Sequence, residues 1–472
     1  MSRSTPDWEA LRRSIAGVLE LPDAEGYERA SRPFNARFDQ SRPLVIVHCA
    51  DPQDVAQTLA FVRRHGLEHA TRCRGHSFAG GSSTGGLLID VSPMRSVSVD
   101  GAVARIGAGA SLGEVYEALH EHGLAIPGGT CPPVGIGGLT LGGGLGILGR
   151  KYGVTSDRLI GAEVVLADGR VVRCDEHHDG DLFWALRGAG AGTLGVVTSL
   201  EFLTVPEPAA TNFHLSWPYE HAAEIVEAWQ GWAPTGPDEL AASLKVTASD
   251  DIADPPYVDV YGALLEGGSD AGSMIEALLA RVRADPSSAT QREMSFSETR
   301  RFWADLGAEG NEDGDDADAK PVEHPYLFCR SEFFARSLPA EAIAALLETF
   351  SRKRAPGESR ELDFMPWGGA YNRVPSDATA FVHRDELFLL KHSVVVDRSA
   401  SAGAKEAAHR QVEAWWASVH AWGSGRMFQN FAVPELDAWA DAYVGSNLDR
   451  LLQIKARYDP SDFFSARSSP QI

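Results

Sequence analysis

Apolar positions in residues 41–205 fall into short runs at strand spacing, separated by amphipathic stretches at helical spacing. LVIVHC (44–49), LLIDV (87–91), ARIGAG (104–109), AEVVLADG (162–169) and LGVVTSLEFLTV (194–205) read as β-rich pieces. Helices are predicted from about Asp54 to His65 and from Leu112 to Glu121, and the N-terminal MSRSTPDWEALRRSIAGVLELP reads as an amphipathic helix. Eleven glycines lie between Gly128 and Gly153, too many for a packed element, so this stretch is expected to be loop. After Pro206 the glycine density drops. Helical stretches near 219–232, 270–283 and 339–353 alternate there with strands near 212–216, 256–264, 325–335, 361–366 and 386–397. AEGNEDGDDADAK (308–320) has no apolar period and is expected to be a mobile solvated loop, with a lid or a metal site as alternatives. NLDRLLQIKARYDPSDFF (447–464) reads as a helix followed by a Pro-terminated turn.

A chain of 472 residues with 44% hydrophobic and 23% charged side chains has the make-up of a soluble globular protein of two or more units. Its 65 acidic and 43 basic residues leave a net charge of −22. That balance argues against nucleic acid and against an anionic membrane surface, both of which select for Lys and Arg. No stretch approaches the roughly 18 apolar residues of a membrane span. Arg12-Arg13 is not followed by a hydrophobic segment, so no export signal is expected and the chain reads as cytoplasmic. Five scattered cysteines without CxxC spacing make a disulfide framework or structural zinc site improbable, and no metal is expected.

GxGxxG occurs at Gly144–Gly149 and at Gly190–Gly195, yet neither follows a strand and opens a helix as a dinucleotide-binding Rossmann turn requires. The glycines make better sense as backbone approaching a large anionic ligand, with successive N–H groups forming concavities suited to a pyrophosphate. RCRGHSFAGGSSTGG (72–86) sets Arg74, Gly75, Ser77, Gly80, Gly81 and Ser82 around His76. GGTCPPVGIGGLTLGGGLG (128–146) sets Val134, Gly135, Gly137, Gly138, Gly142, Gly143 and Gly146 around Cys131, and Gly195-Val196 follow in the second motif. A loop histidine or a lone cysteine is usually structural. Here each stands in a loop with few other side chains, and a thiolate is a competent nucleophile toward an electrophilic ring.

The chain resembles the berberine bridge enzyme-like FAD-linked oxidases of the vanillyl-alcohol oxidase superfamily. The resemblance rests on RGHSFAGGS, GGTCPPVGIGGLTLGGGLGILGRKYGVTSDRLIGAEVVLADG, DLFWALRGAGAGTLGVVTSLEF, PWGGAYNRV with FVHRD, and IKARYDPSDFF, in that order. It implies an α+β fold: a PCMH-type FAD-binding domain from 1–205 and 432–472, and a substrate domain from 206–431 with an antiparallel sheet backed by helices. It also implies that His76 bonds the flavin 8α-methyl carbon and Cys131 bonds C6, placing the chain in the bicovalent subgroup. The glycine-loop residues above, with Val196, become candidate FAD-binding positions. Val134 occupies the position that lines the O2 approach, where valine accompanies oxidase behaviour.

The family pattern breaks at its phenols. The YxNY motif is Phe428-Gln429-Asn430-Phe431 here, and two further tyrosine positions correspond to Phe78 and Leu145. An apolar wall cannot take a proton from an alcohol, so the base is open. Lys391 on ELFLLKHSVVVD (386–397) is the nearest candidate, sharing a strand face with Leu389, Ser393 and Val395, although an ammonium exposed on a sheet edge is its plain alternative. Tyr443 and His383 are outside candidates. Phe78, Leu145, Ser393, Phe428 and Phe431 are the expected substrate pocket. The function implied is hydride transfer from an alcohol or amine carbon of a bulky small molecule, such as a secondary metabolite, with O2 as acceptor. A carbohydrate oxidase with a non-tyrosine base, a flavin-dependent oxygenase or cyclase, and a silent flavoprotein are the alternatives.

Overall fold

The computed structural model describes residues 6–190, 192–266, 270–307 and 324–464. The acidic segment 308–320 lies outside the described residues.

Period-two alternation builds the largest element. Along Leu240–Ala248, Leu240, Ala242, Leu244, Val246 and Ala248 enter an apolar core, while Ser243, Lys245 and Thr247 turn to the opposite face. Glu358–Pro366 repeats this, with Leu362 and Phe364 in the core and Glu361 and Asp363 opposite. So does Phe388–Val396, with Phe388, Leu390 and Val394 inward and Lys391 and Ser393 opposite. These strands belong to an antiparallel sheet of seven, in the order Ser288–Met294, Ala210–Pro218, Tyr257–Leu265, Leu240–Ala248, Glu358–Pro366, Phe388–Val396 and Tyr326–Phe334. Helices Ala222–Gln230, Ala271–Leu279, Ala340–Ser351 and Ala402–Val419 cover its apolar face. Each fully buried Phe or Leu there contributes about 1.5–3 kcal/mol by leaving water, which is what keeps the polar face fixed in register.

The remaining strands make smaller sheets. Val18–Glu20, Val45–His48, Leu87–Asp90 and His69–Arg72 form one, with its last three strands parallel. Val97–Asp100, Val103–Gly107, Val196–Leu203, Leu159–Val165 and Val171–Cys174 form an antiparallel five-stranded sheet. Leu451 and Ile454 of the helix Leu448–Tyr458 share a core with Leu182, Ala185 and Phe202, so the chain's last described helix returns to the glycine-rich half.

Some elements differ from the sequence expectation. The N-terminal helix stops at Ser14, because the Asp54 carboxylate captures the amides of Ala16 and Gly17 at 2.7 and 2.8 Å and turns the chain into the strand Val18–Glu20. The glycine-rich stretch holds a short helix, Ile136–Leu141. Gly137 is required in it, since a Cβ would sit 2.7 Å from the Ala108 carbonyl oxygen. Leu240–Ala248 and Ser288–Met294 are strands the pattern did not announce.

Among the side chains that tie the halves together, three stand out. Asn35 donates to the Leu327 carbonyl at 3.0 Å and accepts from the Leu327 amide at 3.1 Å. Arg150 donates to the carbonyls of Pro234 and Gly236, both at 2.8 Å. Arg384, buried, grips Asp157 through two bonds of 2.8 and 2.6 Å. Among the described residues no helix is long and apolar enough to cross a membrane, and no His, Cys, Asp and Glu group is arranged to hold a metal.

Candidate active site

A cleft of about 2640 Å³ lies between the polar face of the seven-stranded sheet, on which the helix Phe296–Gly307 also packs, and the glycine loops. That exceeds the roughly 300–1,000 Å³ of an ordinary small-ligand pocket, so it has room for a dinucleotide and a second molecule. His76 and Cys131 both line it. His76 is half-buried, and burial together with the nearby His324 lowers its pKa to about 4, so the imidazole is neutral near pH 7. Cys131 lies deep in the molecule, yet its residue surface is exposed because it forms a wall of the cleft. Its depth raises the thiol pKa, while Lys391, the Thr130 side chain and Lys245 pull it back down.

The walls fit a flavin dinucleotide. Gly138, Gly190 and Gly192 line the cleft, and a Cβ on any of them would meet no protein atom within 4 Å. That space is left for a ligand. Ser82 Oγ is buried beside it without a protein hydrogen-bond partner, a polar atom suited to a ligand phosphate or hydroxyl. Gly75, Ser77, Gly81, Val134, Gly135, Gly137, Gly146 and Gly195 also line the cleft. Arg74 does too, but its guanidinium is committed to the Gly109 carbonyl at 2.9 Å and to the Glu114 carboxylate.

Four candidates of the glycine loops face protein instead. A Cβ at Gly80 would strike the Phe38 ring, at Gly142 the Asn430 amide and at Gly143 the Phe381 ring, so these glycines serve close packing. Val196 is fully buried in a core with Val165 and Ala167.

Phe78, Leu145, Ser393, Phe428 and Phe431 all line the cleft. The phenylalanines form one continuous surface, with Phe78–Phe431 and Phe428–Phe431 ring centroids 5.2 and 5.3 Å apart in edge-to-face contact. Tyr443 and His383 are not on it. Tyr443 is buried, its hydroxyl accepting from the Val433 amide at 2.9 Å, and burial pushes its pKa up to about 12. His383 stacks on Phe333 at 4.5 Å and bonds the Gln429 side chain at 3.1 Å, and burial pushes its pKa down to about 3. Both belong to the packing behind the cleft.

Lys391 does face the cleft, but not as an exposed ammonium on a sheet edge. Its strand is interior, paired on both sides, and the side chain is in a charged row. Lys391, Asp363, Lys245 and Asp259 lie directly opposite one another on four neighbouring strands, with Glu361 two residues along. Lys391 Nζ is 2.7 Å from Glu361 and 3.5 Å from Asp363, and Lys245 Nζ is 3.1 Å from Glu361. Burial opposes the charge on Lys391, but Glu361 and Asp363 outweigh it and hold the pKa well above the lysine range. Burial likewise opposes ionisation of Glu361, and the two lysines overcome it and pull its pKa down. Asp363 goes the other way: burial raises its pKa more than Lys391 lowers it, and Asp363 Oδ1 is buried without a partner. Lys245, Glu361 and Asp363 escaped the sequence reading. The signal available was charge at alternate positions within apolar strands, in LAASLKVTA and ESRELDFMP.

A family model described as FAD binding domain matches residues 43–175, and one described as berberine and berberine like matches residues 427–469. An uncharacterised FAD-linked oxidoreductase of Bacillus subtilis is 30% identical, covering 97% of each chain. A chitooligosaccharide oxidase of Gibberella zeae is 31% identical, covering 97% of this chain and 93% of that protein. The solved glucooligosaccharide oxidase of Acremonium strictum, whose FAD is described as 6-S-cysteinyl, 8α-N1-histidyl, superposes with a TM-score of 0.86 at 26% identity over 99% of this chain and 100% of that one. With a cleft that fits the dinucleotide and relatives that span nearly its whole length, this chain belongs to the berberine bridge enzyme-like FAD-linked oxidases and is an FAD-dependent oxidoreductase.

Proposed function

We propose that this chain holds FAD through two covalent bonds, from His76 to the 8α-methyl carbon and from Cys131 to C6, and oxidises an alcohol or amine carbon of a bulky small molecule. Bound there, the flavin supplies the acceptor for a hydride at N5, with O2 as onward oxidant and hydrogen peroxide as product. The observation that supports this reading is one of assembly. His76, Cys131 and the Asp363–Lys391 pair come from distant stretches of chain and wall a single cleft.

Asp363 is the base in this proposal. It lines the cleft, its Oδ1 is buried without a protein partner, and burial raises its pKa above the ordinary carboxylate value, the direction that favours proton uptake. Glu361 is a poorer base because two lysines hold it ionised. Lys391 keeps its proton and so serves as a hydrogen-bond donor beside Asp363. The phenylalanine surface excludes water and takes the apolar plate of the substrate, which the charged row meets at its polar edge. Val134 on the cleft wall suits access by O2.

A second reading, a carbohydrate oxidase with Asp363 in place of tyrosine, is favoured by Ser243, Thr247 and Tyr261 on the same wall and by the oligosaccharides in the names of two relatives. A panel of polycyclic alcohols, secondary amines and oligosaccharides separates the two, read as flavin bleaching without air and its return in air. The tethers are tested apart from turnover. Acid-precipitated protein should stay yellow and yield flavin on two peptides, and the single variants His76→Ala and Cys131→Ala should each keep one link. Free FAD in the acid supernatant of the wild type would refute them.

A further inference from the structure

The ring of Phe34 lies against that of His76, centroids 3.8 Å apart and planes 19° from parallel. The same residue's amide donates to the Gly75 carbonyl at 3.0 Å, and its ring packs at a tilt on Phe78, centroids 5.7 Å apart. Phe34 therefore holds residues 75, 76 and 78 of the loop through three separate contacts. Neighbouring bonds stiffen the arrangement. The Asn35 side chain reaches the edge strand at Leu327, and the Ser77 hydroxyl accepts from the Gly81 amide at 3.0 Å. Gly75 adopts φ of +78°, a left-handed turn that glycine takes without strain and that delivers His76 to the cleft.

Stacking covers one face of the imidazole and leaves its edge, where both nitrogens lie, free. No protein group among the described residues hydrogen-bonds either nitrogen. An unoriented histidine in a glycine loop would sample several rotamers, and each would have to be frozen before a bond could form. The ring against it removes that search.

We propose that Phe34 is the positioning residue for flavin attachment at His76, acting as a platform that holds the imidazole edge toward the cleft. This rests on the reading that His76 is one of two tethers. Attachment joins an imidazole nitrogen to the 8α carbon. One proton leaves that carbon and one leaves the imidazole, and the two electrons released as the C–N bond forms are carried off by O2 as hydrogen peroxide. The platform also keeps water from the ring, in line with an imidazole neutral down to about pH 4. The other titratable group facing His76 is His324, itself bordered by Asp39, Arg32 and Arg398.

The test uses the full chain with Cys131→Ala, so that His76 is the sole tether, expressed under riboflavin limitation and then mixed with FAD. Covalent flavin is followed by fluorescence on a denaturing gel. Phe34→Leu should slow attachment about tenfold at pH 7 and Phe34→Tyr, which keeps the ring, should restore it. Phe34→Leu admits water to the imidazole and raises its pKa, so attachment should fall further at pH 5.5 than at pH 7 while the parent stays level. A parallel series with His76→Ala reads the Cys131 link, which Phe34→Leu should leave at the parent rate. Equal rates in Phe34→Leu and its parent, or equal slowing of both links, would overturn the proposal. A Cys131→Ala parent with no covalent flavin would instead overturn the two-tether reading beneath it.

Discussion

Replacing Asp363 by Asn tests the chemistry most directly. The change removes proton-accepting capacity and little else: the carboxamide keeps the shape, and its oxygen can still accept from Lys391, which also retains Glu361 at 2.7 Å. A positioned general base is worth about 10²–10⁴-fold. At 1.36 kcal/mol per decade that is about 3–5 kcal/mol of transition-state stabilisation. Glu361 cannot recover much of it, because the lysines that flank it hold its pKa low, whereas Asp363 is held high. The assay is anaerobic stopped flow with the substrate that bleaches the wild-type flavin fastest, followed across pH. Asp363 must be unprotonated to act, so wild-type reduction should fall as pH drops through its raised pKa. The Asn variant should be slow and level over that range, and Glu361→Gln should lose less. Reduction by Asp363→Asn within about threefold of wild type, with the wild-type pH profile, would refute Asp363 as the base.

Two more outcomes follow from the same geometry. Phe431→Ala should lower kcat/KM for an aromatic substrate about four- to twelvefold, chiefly through KM, since a half-buried ring contributes roughly half of the 1.5–3 kcal/mol of a fully buried one; steady-state kinetics on the best panel substrate checks it. Arg384→Met should cost about 3–5 kcal/mol by leaving Asp157 buried and unpaired, seen as a lower urea midpoint, and adding Asp157→Asn should recover part of the loss.

Local pattern carried much of the fold. Strand alternation in Phe388–Val396 puts Lys391 and Ser393 on one face and His392 on the other, and the structure keeps that division: His392 is fully buried and Lys391 and Ser393 reach the cleft. The same reasoning failed in the glycine-rich stretch. Gly137 and Gly138 sit in a helix because one is forced by close approach to Ala108 and the other opens on the cleft, and neither demand is visible in composition. The alternative of a sheet-edge ammonium for Lys391 is excluded by strand order, which depends on pairings across long sequence separations.

What the chain determines by itself is which residues are available: a histidine and a cysteine in glycine loops, a cluster of phenylalanines, and strands with one apolar face. Those are local properties, readable from spacing and side-chain chemistry. Only the tertiary structure sets Lys245, Asp363 and Lys391 side by side, because their strands are neighbours in space and far apart in sequence. Burial there raises the pKa of both carboxylates, and the two ammonium groups beside Glu361 separate them, holding Glu361 ionised and leaving Asp363 with a raised pKa and a buried oxygen without a protein partner. A pKa depends on desolvation and on neighbouring charges, and both are fixed only when the sheet closes against the glycine loops.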